Sequence, residues 1–261
     1  MPSIVTDDGV SLNYRLDGPE AAPVLVLSNS LGTDLAMWDA QMPALMAAGH
    51  RVLRYDTRGH GGSGLSPAAY QVDRLGRDVL VLMDGLGIAR AAFCGLSMGG
   101  MTGMWLGVHA PARFSRLVLC NTAAKIGTPD VWNGRIATVE AGGMEAIVAG
   151  VIQRWFTEGF VAAQPQAVER IAAMLRATAP AGYCAACAAV RDMDQRAAIA
   201  GIRLPVLVIA GSHDLATPAA DGRAAADSIP GARYVELPAA HLSNIECETA
   251  FTLALLGFLK A

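Results

Sequence analysis

Residues Ala91 to Trp105 constrain this chain more than any other stretch. A short apolar run, Ala91-Ala92-Phe93-Cys94, enters Gly95-Leu96-Ser97-Met98-Gly99, and an apolar, glycine-relieved segment continues to His109. The run reads as a buried strand and the segment as a helix, so the Gly-x-Ser-x-Gly pattern sits where a strand turns sharply into a helix. Small residues are needed at 95 and 99 because the two backbones approach closely there. The serine is pushed out over the sheet edge at a helix start, where free N–H groups and the positive end of the helix dipole face any anion that forms. Ser97 is therefore the candidate nucleophile.

With 261 residues, the chain is long enough to bury a sizeable core. It is 53% hydrophobic with a mean hydropathy of +0.36, which raises the question of a membrane. Charged, Gly or Pro residues interrupt every apolar run before the roughly 18 residues a spanning helix needs. The apolar excess is instead assigned to a sheet buried on both faces and to alanine-rich helices. A net charge of −3 without a basic cluster argues against nucleic acid or an anionic membrane as partner. The first residues reach Asp7-Asp8 without the basic and apolar segments of a signal peptide, and a cytoplasmic location is expected.

The five cysteines are an odd number, and Cys94 and Cys120 lie in strand-like runs, so they read as reduced core residues. Cys184 and Cys187 form a C-x-x-C inside an alanine tract without a second ligand pair, so no metal or cofactor is expected.

Strand and helix alternate along most of the chain, which predicts an α/β fold with a mostly parallel eight-stranded sheet. Residues 3–16 read as a hairpin turning at Asp7-Asp8-Gly9. Pro23 to Ser28 is a continuous apolar strand followed by the loop Asn29-Ser30-Leu31-Gly32-Thr33-Asp34, then Trp38 and a helix near 42–48. Arg51 to Asp56 is a further strand that ends in the glycine-rich Thr57 to Gly64. That loop lacks the lysine and spacing of a phosphate cradle, and its expected role is structural, with Asp56 and Arg58 satisfying its backbone. Tyr70 to Leu86 has helical apolar spacing, with Asp73, Arg74, Arg77 and Asp78 expected to face water.

Between about Ala123 and Arg196 the alternation gives way to helix-like spacing alone. This predicts a helical cap, residues 123–196, inserted into a core of residues 1–122 and 197–261 and roofing the sheet end. Leu204 to Ala210 restarts the strand pattern and delivers Asp214. Ala232 to Leu237, the last strand, delivers His241, and a helix from Thr249 to Leu259 closes the chain.

Ser97, Asp214 and His241 each follow an inner strand and would gather along one sheet edge. A serine nucleophile needs a base for its proton, and the base needs a carboxylate to hold its tautomer. His241 is the only one of five histidines on a loop leaving the last strand; His50, His60, His109 and His213 have other placements. Asp214 is favoured as the acid over Asp192 and Asp194 in the insertion and over Asp221 and Asp227 in a helix-like stretch. The oxyanion needs two preset donors, and the backbone N–H groups of Met98 and Leu31 are placed for this.

The chain as a whole resembles the α/β-hydrolase family, and several stretches are similar to 3-oxoadipate enol-lactonases. These are Asn29 to Asp34 with Trp38, Asp56 to Gly61, Cys94 to Gly100, Arg191 to Asp194, Gly211 to Asp214 and Ala240 to Asn244. Asn29-Ser30 stands where many members of the wider family have His-Gly, which costs nothing if the donor is backbone. The resemblance implies hydrolysis of a five-membered enol-lactone bearing an acetate side chain, through an acyl-enzyme, to 3-oxoadipate in aromatic-compound degradation. The carboxylate of that small-molecule substrate wants a cation or fixed donors. Arg135 and Arg154 are the candidates in the insertion, with Trp132 and Trp155 shaping the wall; the alternative is that both arginines are solvated helix charges. Perhydrolases, general carboxylesterases and small-molecule receptors of the same fold remain as rival functions.

Overall fold

The computed structural model describes residues 2–66 and 68–260. Its eight strands are β1 (Ser3–Val5), β2 (Ser11–Asp17), β3 (Val24–Ser28), β4 (Arg51–Tyr55), β5 (Ala91–Leu96), β6 (Phe114–Cys120), β7 (Val206–Gly211) and β8 (Arg233–Leu237). They form one sheet in the order β1-β2-β4-β3-β5-β6-β7-β8. The β1/β2 and β2/β4 pairs are antiparallel and the other five are parallel.

The parallel strands are apolar on both sides because helices cover both faces. On one face Leu25, Leu27, Cys94 and Val118 pack with Trp38, Leu45 of α1 (Met42–Ala47) and Phe251 and Leu255 of the C-terminal helix Glu248–Lys260. On the other, Val26, Phe93, Leu117 and Leu119 pack against α2 (Val72–Gly85) and Met104 and Leu106 of α3 (Met98–His109). Chain order reverses at β3, with β4 on one side and β5 on the other. The loops after β3 and β5 therefore flank the crevice at the carboxyl ends of the strands, where open α/β sheets place ligands.

Between β6 and β7 the chain is helical: α4 (Pro129–Gly142), α5 (Glu145–Trp155), α6 (Glu158–Ala163), α7 (Pro165–Ala177) and α8 (Pro180–Asp192). Their buried side chains, including Trp132, Val148, Trp155 and Leu175, belong to the same apolar cluster as Leu31, Met98 and Met101 of the sheet edge. The glycine-rich loop meets α8 at Gly59 and Gly182, where a Cβ on Gly59 would lie 2.6 Å from Gly182 Cα. Backbone contact of this kind leaves that junction no room for side chains. Two short helices remain, α9 (Ala219–Ser228) and α10 (Ser243–Glu246), and the C-terminal helix is α11.

Two expectations for the loop after β4 and for α2 are corrected. Asp56 does satisfy backbone, accepting from Leu35 N (2.7 Å) and Gly62 N (2.8 Å), but Arg58 does not. Its guanidinium is fully buried and forms ion pairs with Asp78 (2.7 Å) and Asp8 (2.8 Å), with the Tyr70 ring 5.3 Å away. Asp78 is accordingly 1% exposed rather than facing water, and Arg74 also reaches it at 3.0 Å. The helical spacing assigned Asp78 to the polar face correctly for its own helix; the β1–β2 turn and the β4 loop then cover that face. Helix α2 is also shorter than expected, because Tyr70 precedes it and packs on Arg58 instead.

A buried pair that loses one member leaves the other desolvated and uncompensated. Arg58→Met is expected to lower the unfolding free energy by about 3 kcal/mol in urea titrations, and Arg58→Met combined with Asp78→Leu to recover part of that loss.

Candidate active site

Ser97 links β5 to α3 with φ +56° and ψ −112°. It and Asn121 are the only non-glycine residues with positive φ among those described, a conformation that costs energy and clusters at functional sites. The turn is held from two sides. Ser97 N donates to Cys120 O (2.8 Å) and Thr122 Oγ1 donates to Ser97 O (2.8 Å). A Cβ on Gly95 would lie 2.1 Å from Gly99 O, and one on Gly99 would lie 2.2 Å from Ser28 O. Only glycine at both positions lets β5, α3 and the end of β3 come this close.

His241 is 2% exposed and its Nδ1 lies 2.8 Å from Asp214 Oδ2. Asp214 is also buried and accepts four further hydrogen bonds. Ala216 N (2.7 Å) and Thr217 N (2.9 Å) donate to Oδ1, while Thr217 Oγ1 (2.7 Å) and Asn121 Nδ2 (3.0 Å) donate to Oδ2. Burial alone would raise the carboxyl; the His241 charge, Thr217 and Asn121 outweigh it and hold the group at about 2. The Asp214 carboxylate faces His241 Nδ1, an arrangement that suits a proton on Nδ1 and leaves Nε2 to act as the base.

Ser97 and His241 line one cavity, partly open to solvent, together with Leu31, Met98, Trp132, Arg135, Arg154 and Trp155. Ser97 makes no side-chain capping bond to α3, and no backbone turn or loop bond among the described residues takes up Leu31 N–H or Met98 N–H. The Trp155 and His241 rings lie 6.5 Å apart with planes inclined by 23°. Arg135 sits over the Trp132 ring at 5.2 Å and its Nη1 is 3.5 Å from Tyr183 Oη. Arg154 Nη2 donates to Leu215 O (2.9 Å), and its Nε is buried without a partner among the described residues. Among the described residues neither arginine pairs with a carboxylate. Burial, then the Arg135 charge, push the Arg154 guanidinium below its ordinary value.

The competing residues lie elsewhere. His213 and His109 are exposed, and His50 is half-buried at the amino end of β4. His60 is buried under the β4 loop, its Nδ1 3.1 Å from Arg58 O. Asp192 and Asp194 pair at the surface with Arg191 and Arg196, and Asp221 and Asp227 are exposed.

The motif residues outside the cavity hold its loops. Asn29 accepts from Trp38 Nε1 (3.0 Å) and donates to Tyr55 O (2.8 Å), which fixes the loop carrying Leu31. Asn244 Nδ2 donates to Met37 O (2.9 Å), and Gln41 Nε2 donates to Asn244 O (2.7 Å), tying that loop to the one carrying His241. Sequence reasoning did not find Thr217, Asn121 or Ser243. For Thr217 a signal existed, since Asp-x-x-Thr is an Asx-turn spacing; Ser243 lies in the Ala240–Asn244 stretch that carries the resemblance but was given no role, and Asn121 is a single polar residue at a strand end with no pattern to mark it.

This serine-elbow chemistry on this sheet defines the class, and the comparison with known families agrees: the alpha/beta hydrolase fold model matches residues 23–169. The chain belongs to the α/β-hydrolase family. It is 42% identical over 258 residues to 3-oxoadipate enol-lactonase 1 of Acinetobacter baylyi, covering 99% of this chain and 96% of that protein. To 3-oxoadipate enol-lactonase 2 of the same organism it is 41% identical, covering 98% and 96%. The crystal structure of the enol-lactonase from Burkholderia xenovorans superposes with a TM-score of 0.97 at 48% identity, covering 100% of both chains. Among the described residues no helix is long and apolar enough to cross a membrane.

The depressed Asp214 carboxyl has a consequence for stability. A folded-state pKa of about 2, against about 3.9 in the unfolded chain, gives stability that is complete above pH 4 and lost as pH falls through 2. Its size is roughly 2 kcal/mol. Equilibrium unfolding of Asp214→Asn should show a flatter dependence on pH between 4 and 2 than the wild-type chain.

Proposed function

We propose that this protein hydrolyses 3-oxoadipate enol-lactone to 3-oxoadipate through an acyl-enzyme on Ser97. One observation carries the choice of substrate. Arg135 and Arg154 border the cavity that holds Ser97 and His241, and neither has an acidic partner among the described residues. Two cations in a half-buried pocket, the Arg154 guanidinium already disfavoured by burial and by Arg135, gain most from an anionic ligand. The lactone's free carboxylate is such a ligand, and the relatives that act on it share two fifths or more of the sequence over nearly the whole chain.

The reaction follows from the parts. Ser97 Oγ attacks the lactone carbonyl as its proton passes to His241 Nε2, and the imidazolium is stabilised by Asp214. Leu31 N–H and Met98 N–H receive the oxyanion, donors of a kind worth roughly 3–4 kcal/mol of barrier each. The ring C–O bond breaks, His241 returns the proton to the departing enolate oxygen, and the enol tautomerises to the ketone. Water then attacks the acyl-enzyme, His241 takes its proton and passes it to Ser97 Oγ, and the second carboxylate is released. Residues 123–196 act as the cap that supplies Trp132, Arg135, Arg154 and Trp155 to the pocket. The substrate is a small molecule, without nucleic acid or membrane as partner, and the protein works without a cofactor, in the cytoplasm.

Steady-state hydrolysis of the enol-lactone, followed by its ultraviolet absorbance beside a neutral short-chain aryl ester, tests this. The lactone is expected to be turned over many times per enzyme with much the higher kcat/KM. Ser97→Ala should abolish turnover and leave the fold intact. Arg135→Gln and Arg154→Gln should lower kcat/KM on the lactone roughly tenfold to a hundredfold, as expected for a lost charge-assisted bond, and change the neutral ester far less. A preference for the neutral ester would make the protein a general carboxylesterase, and a single turnover would make it a receptor.

A further inference from the structure

The end of β6 bonds to Ser97, to Asp214 and to the chain on either side of His241. Cys120 O accepts from Ser97 N and Thr122 Oγ1 donates to Ser97 O, both at 2.8 Å, so the residues on either side of Asn121 grip the backbone of the nucleophile. Asn121 itself reaches the other two loops. Its Nδ2 donates to Asp214 Oδ2 (3.0 Å) and to Ala240 O (3.1 Å), the carbonyl immediately before His241. Its Oδ1 accepts from Ser243 Oγ (2.5 Å), two residues past His241. The amide is 1% exposed, so each of these bonds is made away from water. Asn121 adopts φ +45°, which a residue other than glycine takes only at a cost, and that conformation aims a short side chain between the loops after β7 and β8.

We infer that Asn121 is a positioning residue for the acid–base pair, with Ser243 fixing which way its amide faces. This rests on the proposed roles of Asp214 and His241. The amide has a handed donor and acceptor arrangement: only with Nδ2 toward Asp214 and Ala240 are all partners satisfied, and the Ser243 hydroxyl on Oδ1 sets that orientation. Asn121 therefore holds the Asp214 carboxylate and the backbone entering His241 at fixed separation, so the imidazole is presented to Ser97 without searching. It also shares part of the carboxylate's negative charge, which limits how strongly Asp214 stabilises the imidazolium. The charged groups near the pair also include Arg154, Asp221 and Glu246, whose carboxylate accepts from Ala240 N, and substitutions at 121 leave all three in place.

The test is Asn121→Gly, which keeps the left-handed backbone and removes only the side chain, with Ser243→Ala as the second variant and Asp214→Asn as reference. With the enol-lactone, Asn121→Gly is expected to lower kcat roughly ten- to a hundredfold with KM within about twofold. The acid limb of its kcat/KM profile should move up by about half a pH unit, because the less shared carboxylate holds the imidazolium more tightly. Ser243→Ala should move both quantities in the same direction by less. A merely structural role would lower Tm and leave the pH profile in place. Unchanged kcat and pH profile in Asn121→Gly, beside an inactive Asp214→Asn, would overturn the inference while sparing the mechanism; if Asn121→Gly does not fold, the same readings on Ser243→Ala decide. Wild-type activity in Asp214→Asn would instead remove the mechanism on which the inference stands.

Discussion

The backbone-to-backbone approach at the elbow is the constraint on which the remaining structure depends. A strand can turn into a helix within one residue only if that residue accepts a left-handed backbone and its neighbours carry no Cβ in the way. Ser97 does the first at φ +56°, and Gly95 and Gly99, pressed against Gly99 O and Ser28 O, do the second. Those contacts draw β3 and β5 together at their carboxyl ends, which is also where the sheet order reverses. The crevice between the loops after β3 and β5 and the placement of Ser97 at its edge are thus two results of one packing requirement. Because Ser97 caps α3, the free N–H groups at the start of that helix face the same opening.

The loop carrying His241 is coupled as closely to the helices over the sheet as to the sheet itself. Leu242 N donates to Trp155 O (3.1 Å), at the end of α5. Glu246 accepts from Ala240 N (2.8 Å) on one side and from the Thr157 hydroxyl on the other, so one carboxylate joins the approach to His241 with the start of α6. Trp155, which lines the cavity, is therefore held in register with the imidazole by backbone contacts rather than by side-chain packing alone. Any displacement of α5 pulls on the loop after β8.

Much of this was legible in the sequence because it repeats along the chain. Apolar runs such as Pro23 to Ser28 and Leu204 to Ala210 can be satisfied only by strands covered on both faces, and the loss of alternation after residue 123 coincides with the helices from Pro129 to Asp192. Local spacing also points each of Ser97, Asp214 and His241 to a strand end. What spacing does not carry is the pairing of polar groups distant in sequence. Asp78 reads as solvated on α2, yet Arg58, twenty residues earlier, and Asp8, seventy earlier, bury it. Asn121 meets partners 93, 119 and 122 residues away. A hydrogen bond constrains only its two ends, so it leaves no periodic trace in the sequence between them.

The arginines of the cavity are a different case, because folding gives no reason for them. Elsewhere the buried guanidiniums are matched: Arg58 with Asp78 and Asp8, Arg54 with Asp17 (3.1 Å) and Asp39 (2.5 Å). Arg135 and Arg154 instead lean on an aromatic ring, a phenol and a backbone carbonyl. Replacing either with an apolar side chain of similar volume would relieve desolvation and the repulsion between two like charges, so the arrangement costs stability in the empty protein. A bound anion reverses both penalties at once. On the proposed mechanism the same field would act on an oxyanion forming beside Ser97, since the cavity is bordered by two arginines and the Asp214 carboxylate receives five donors. A neutral ester gains only the second effect, whereas an anionic lactone gains both, and this asymmetry is the physical basis for reading the cavity as built for a charged substrate.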